Sequence, residues 1–167
     1  MDALVVVESW FGGTRALADE VARGMEDGGA RVRVIPVGDA PAAIPDGVDA
    51  VVVGAPTHNR GLSTPATRRQ ARAKAGAAGT PSSAEGRGTR EWLDAVDLPA
   101  GATVAVFDTA TGRSWMNGSA ARTAVKLLAR RGVTCRSTET FLVPASGGEV
   151  AADQLEAARA WGGRLVG

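Results

Sequence analysis

Two short runs, Ala3–Val7 (ALVVV) and Ala50–Val53 (AVVV), constrain this chain more than any other feature. Each is apolar at consecutive positions, rich in β-branched residues and too short for a helix. A strand reads this way when both faces of its sheet are covered, as in a parallel sheet between layers of helices. Between the two runs the period changes. Leu17, Val21 and Met25 recur at helical spacing and Gly28-Gly29 stops the pattern, so a helix follows the first strand, Ala3–Glu8. Arg31–Pro36 then alternates polar and apolar, as an edge strand does.

The same alternation continues to the end of the chain. The third strand spans Ala50–Gly54, and Pro65 opens a helix over Ala66–Ala75 with Thr64 as its cap. Gly76–Gly88, small and polar, reads as a mobile loop inside the domain. Thr89–Val96 reads as a helix with Trp92, Leu93 and Val96 inward, Thr103–Phe107 as the fourth strand, and Ser119–Arg131 as a helix turning Val125 and Leu128 inward. Thr138–Val143 is the fifth strand, and Leu155, Ala158, Gly162 and Leu165 mark the last helix. Five βα units with right-handed crossovers predict an α/β three-layer sandwich, 1–167 forming one domain. At this length the strand order 2-1-3-4-5 fits, with a ligand crevice at the carboxyl ends of strands 1 and 3.

Composition narrows the chemistry. Nineteen basic against 18 acidic residues leave +1, which gives no global reason to expect nucleic acid, and no apolar run nears a membrane span of roughly 18 residues. One cysteine, Cys135, and one histidine, His58, are too few for a disulfide or a zinc site, so no metal is expected. Met1-Asp2-Ala3 enters the first strand without a targeting pattern, so a cytoplasmic protein is expected.

Three loops at the carboxyl edge carry the candidate site. The first, Ser9-Trp10-Phe11-Gly12-Gly13-Thr14, combines small and hydroxyl residues at a helix start, where backbone N–H groups and the helix dipole favour a monophosphate. The alternative is an ordinary tight turn with Thr14 as N-cap. Neither a Walker-type nor a dinucleotide glycine motif is present. The second loop, Gly54–Gly61, offers Pro56, Thr57, His58, Asn59 and Gly61, whose backbone and polar side chains could meet a flat heterocycle edge-on. The third, Asp108–Trp115, offers Thr109, Ala110, Thr111, Gly112 and the aromatic Trp115.

VVVESWFGGTRALADEVARGM resembles the phosphate-loop segment of the flavodoxin family, [ST]-x-[ST]-G-x-T, through Ser9, Gly12 and Thr14. Phe11 replaces the middle hydroxyl, as an aromatic does in the S-x-Y-G of flavodoxin-like NAD(P)H:quinone oxidoreductases. GAPTHNRG is similar to the G-x-P-T-R-[YF]-G of those enzymes through Gly54, Pro56 and Thr57, while His58, Asn59 and Arg60 depart from it. With the order of units, the resemblance covers nearly the whole chain. It implies a flavodoxin-like fold, FMN as cofactor, and electron transfer between a reductase and an acceptor. The runner-up is an NAD(P)H-dependent quinone or flavin reductase, and a third reading is a binding protein that has lost FMN. The family sandwiches the flavin between aromatics, often a Trp and a Tyr; this chain has no Tyr, leaving Trp10, Trp115 and His58 as candidates. Each has a bland alternative: a tryptophan can cap the core edge, and a loop histidine can be solvated or a local hydrogen-bond partner.

A phospho-receiver domain shares this strand order but needs an acidic pair, a phosphoacceptor Asp and a Lys where this chain has Glu8-Ser9, Gly54-Ala55 and Pro144-Ala145. Asp108 then reads as a loop-ordering or cofactor-adjacent carboxylate, and Cys135 as a small buried residue. Residues 60–90 hold seven basic and one acidic side chain, against four and nine in 1–59. This basic segment is either a solvated helix face or an attractor for an acidic redox partner or the phosphates of NADPH.

Overall fold

The computed structural model describes residues 1–77, 87–112, 118–145 and 147–167. Strands β1 (Asp2–Val7), β2 (Arg31–Pro36), β3 (Ala50–Pro56), β4 (Thr103–Ala110) and β5 (Cys135–Leu142) alternate with helices α1 (Gly13–Asp27), α2 (Pro65–Ala77), α3 (Thr89–Ala95), α4 (Ala120–Arg130) and α5 (Ala152–Leu165). Every pairing is parallel, and the sheet order is β2-β1-β3-β4-β5, as expected. Among the described residues no helix is long and apolar enough to cross a membrane.

The consecutive apolar runs divide between two cores. From β1, Ala3, Val5 and Val7 pack towards α1 and α5, while Leu4 and Val6 pack towards α3 and α4. Val52, Ala105 and Phe107 join the first core, and Val51, Val53, Val104 and Val106 the second. Full burial of one such side chain contributes about 1.5–3 kcal/mol, so neither face tolerates a polar residue mid-strand. Edge strand β2 keeps Arg31 and Arg33 exposed. Helices α1 and α5 approach through glycine: a Cβ at Gly24 would come within 1.9 Å of the carbonyl oxygen of Arg159, and one at Gly162 within 2.1 Å of that of Val21.

The strands run further than their apolar runs. β3 continues two residues past Gly54 and β4 three past Phe107, because Asp108 and Thr109, although polar, are buried with hydrogen-bond partners. β5 starts at Cys135, three residues before Thr138, with a register irregularity opposite Val104 and Ala105. Cys135 is half-buried rather than core; burial pushes its thiol pKa up, and its Sγ donates to the Ser137 carbonyl. In α4 it is Ala120, Ala121, Ala124 and Leu128 that are buried, with Val125 half-buried. α2 is opened by a reciprocal cap, Thr64 Oγ1 accepting from Thr67 N–H while Thr64 N–H donates to Thr67 Oγ1. The helix passes Gly76 to Ala77, and most of the loop expected over Gly76–Gly88 lies outside the described residues.

Candidate functional site

β1 delivers the chain into its first loop through Glu8, whose N–H donates to the Gly54 carbonyl. The Glu8 side chain is completely buried: Oε1 accepts from Trp10 Nε1 at 3.0 Å and Oε2 from the Thr89 N–H at 2.9 Å, joining the loop to the start of α3. Trp10 therefore turns inward, 3% exposed and packed on Ala71 of α2. Phe11, by contrast, is 39% exposed.

Gly12, at φ 87°, is the N-cap of α1, so the alternative with Thr14 as cap does not hold. Ser9 Oγ accepts from the Arg15 N–H at 3.2 Å, and the Ala16 N–H donates to the Gly12 carbonyl. The N–H groups of Gly13 and Thr14 have no acceptor among the described residues. These are the orphan donors that every helix start leaves, here at the edge of a cleft. The Thr14 hydroxyl lies 2.9 Å from that of Thr109, which fixes the first loop to the end of β4.

After β3 the chain doubles back tightly. His58 N–H donates to the Gly61 carbonyl and Gly61 N–H to the His58 carbonyl, with Asn59 and Arg60 between them at φ 43° and 70°. Positive φ at both central residues is the signature of a type I′ turn. Thr57 anchors its base, donating through Oγ1 to Asp108 at 3.2 Å and accepting from the Ala120 N–H at 3.0 Å. Its tip is held by the Ser119 N–H on the Arg60 carbonyl, which requires Gly118, since a Cβ there would collide with Arg60. His58 is half-buried, and burial lowers its pKa; the Glu8 charge opposes the shift while Arg68 and Lys74 add to it.

Asp108, fully buried, orders the rest. Its carboxylate accepts from Ser119 Oγ (2.6 Å), Thr140 Oγ1 (2.6 Å) and the Ala121 N–H (3.0 Å) besides Thr57, holding three strand ends and the start of α4 together.

These segments enclose a cleft of about 380 Å³ at the carboxyl edge of the sheet. Trp10, Phe11, Gly13 and Thr14 line it from the first loop, Pro56, Thr57, His58 and Asn59 from the second, and Thr109, Ala110 and Thr111 from the third. Ser9, Gly12, Gly61 and Gly112 shape the loops without lining the cleft, and Trp115 falls outside the described residues. A fourth wall, missed in the sequence, comes from Val143, Pro144, Ala145, Gly147 and Gly148 after β5, and Arg60 also reaches the cleft. The run PASGGE directly after a parallel strand was the available signal. A cleft of mixed polar and apolar lining that includes the start of a helix suits a ligand carrying an anion. Among the described residues no cluster of acidic, His and Cys side chains could hold a metal.

No known family model and no curated protein matches the sequence. Among solved structures the chain is similar to oxidised flavodoxin 1 from Bacillus cereus, with TM-score 0.68, 19% identity and coverage of 99% of this chain and 97% of that one. It is similar to a flavodoxin from the domain Archaea, with TM-score 0.66, 21% identity and coverage of 99% and 96%. The flavodoxin, WrbA-like protein from Agrobacterium tumefaciens gives TM-score 0.53, 20% identity and coverage of 99% and 94%. The chain thus has the flavodoxin fold.

Proposed function

We propose that this chain binds FMN non-covalently in the cleft and passes electrons between a reductase and an acceptor. The observation that carries the reading is that Gly13 and Thr14, whose N–H groups have no acceptor among the described residues, line the cleft at the start of α1. They would hold the phosphate, and Gly12 leaves open space where a side chain would stand, with no atom within 4 Å of an added Cβ. Backbone groups of residues 57–60 would meet the pyrimidine edge, and those of Thr109–Thr111 the other side of the ring. His58, kept neutral at pH 7 by its lowered pKa, can donate one hydrogen bond there without adding charge. Trp10, held by Glu8 through its Nε1 and packed on Ala71, also lines the cleft, where it would stand against the ring from the core side. Phe11 is the exposed aromatic at the rim. When bound, the flavin supplies the redox chemistry; the protein positions it and excludes water.

The test is the visible spectrum of purified protein incubated with excess FMN and desalted. Retained flavin bands are expected. A colourless protein with an intact circular-dichroism spectrum would overturn the reading and favour a fold that has lost the cofactor. Phe11, aromatic as in the S-x-Y-G resemblance and exposed here, favours a second reading as an NAD(P)H-dependent quinone or flavin reductase. Steady NAD(P)H oxidation with a quinone would establish that reading against a carrier.

A further inference from the structure

Among the described residues that line the cleft, Arg60 alone carries a fixed charge. His58 beside it is neutral at pH 7, and no carboxylate lines the cleft from within. The buried acids behind the walls are Glu8 and Asp108, each with its oxygens engaged by donors of the fold. Trp10 Nε1 and the Thr89 N–H hold Glu8, while Thr57, Ser119, Thr140 and the Ala121 N–H hold Asp108. Arg60 itself is exposed and forms no ion pair among the described residues.

The root of this side chain is fixed. The paired hydrogen bonds of His58 and Gly61 close the turn around it, and the Ser119 N–H holds its carbonyl at 3.2 Å. The second central position of a type I′ turn favours glycine, yet here it carries an arginine at φ 70°. Strain of this kind gathers at ligand sites, and what it achieves here is a cation at the cleft wall.

We infer that Arg60 tunes the redox preference of the cleft: its guanidinium makes the site hold reduced FMN more tightly, relative to oxidised FMN, than an uncharged side chain would. The inference rests on the FMN reading, in which residues 57–60 meet the pyrimidine edge. Two electrons from the reductase and one proton taken up at N5 leave that edge, at neutral pH, with one negative charge over N1 and the C2 carbonyl. Oxidised FMN has no such charge, and the phosphate is common to both states. The buried carboxylates of Glu8 and Asp108 oppose the added charge, and Arg60 is placed to offset them. A contact that favours one redox state shifts relative affinity, and by linkage the midpoint potential rises.

Quenching of FMN fluorescence gives the Kd of oxidised FMN. Anaerobic dithionite titration of the loaded protein against a reference dye gives the midpoint potential, and hence the ratio of reduced to oxidised Kd. R60Q should raise that ratio about threefold to tenfold, tenfold being about 30 mV downward for a two-electron couple. The Kd of oxidised FMN should move by under about twofold, and R60K, which keeps the charge, should stay within about twofold of wild type in both quantities. R60G, which removes the cation and relieves the strained φ, should follow R60Q. The effect of R60Q should shrink towards 1 M salt, where the Debye length is about 3 Å. A ratio changed by less than about twofold in R60Q, a wild-type ratio in R60G, or equal weakening of both redox states would each overturn the assignment, the last by moving Arg60 to the phosphate. Wild type that takes up no FMN overturns the FMN reading and this one together. Wild type that binds FMN with a ratio insensitive to Arg60 overturns this one alone.

Discussion

Arg60 holds a backbone conformation that an L-residue adopts at a cost of about 1–2 kcal/mol. Its φ of 70° completes the turn begun by Asn59, a residue type that tolerates the left-handed region far better. Strain of this kind persists where the surroundings over-determine it, and here Gly118 and the Ser119 N–H clamp it. Arg60→Gly should therefore hold stability or raise it by up to about 1 kcal/mol, since glycine's extra chain entropy offsets part of the relief. Arg60→Val, β-branched in the same place, should lose about 2 kcal/mol. Urea midpoints measure both, and a valine variant as stable as wild type would contradict the turn geometry. His58 gives a second test at this scale, because it is the chain's one histidine and its ring resonances need no assignment. Burial sets its folded pKa below the ordinary histidine value of 6.5. As pH falls through 6.5 the unfolded chain takes the proton first, so His58 favours unfolding progressively from there down to its folded pKa and leaves stability pH-independent above. A proton NMR titration should place its midpoint under 6.5, and Lys74→Gln should raise it by removing a charge that lowers it.

At the scale of elements, Asp108 is the joint of the site. It fastens Thr57 at the end of β3, Thr140 on β5 and the first turn of α4, so its loss disturbs three neighbours together. Asp108→Ala strands buried donors, each costing about 1–3 kcal/mol, and should destabilise the fold by about 3 kcal/mol or more in urea unfolding. A change under about 1 kcal/mol would show that water replaces the carboxylate. The same residue shows where the sequence stops being legible. The apolar run of β4 ends at Phe107, and nothing local says that the next two polar residues stay in the sheet; their partners come from β3, α1, α4 and β5. Order and type of the elements were readable because they depend on period. The inward turn of Trp10 was not, since it depends on a buried carboxylate two residues back and on Ala71. The basic segment was similarly opaque: which arginines are structural depends on which carbonyls lie beneath them, as Leu62 and Ala40 do for Arg90 and Arg87.

For the molecule as a whole, the cleft gathers walls from segments following β1, β3, β4 and β5, so a ligand in it ties together parts far apart in sequence. A ligand that binds only the folded state adds RT ln(1 + [L]/Kd), about 2.7 kcal/mol at a concentration 100 times Kd. For a chain of 167 residues, 1 kcal/mol moves the midpoint of thermal unfolding by about 2–4 °C, so saturating FMN should raise Tm by roughly 5–10 °C. Riboflavin, which lacks the phosphate, should raise it much less, because the Gly13 and Thr14 N–H groups then gain no anion. R69E/K74E should keep the full FMN shift, since neither residue lines the cleft. Equal shifts with riboflavin and FMN would move the phosphate away from the start of α1, even with the cofactor bound. A smaller shift in R69E/K74E would instead mean that charge carried by α2 helps hold the anion in the cleft, because removing two positive charges nearby would then weaken that hold.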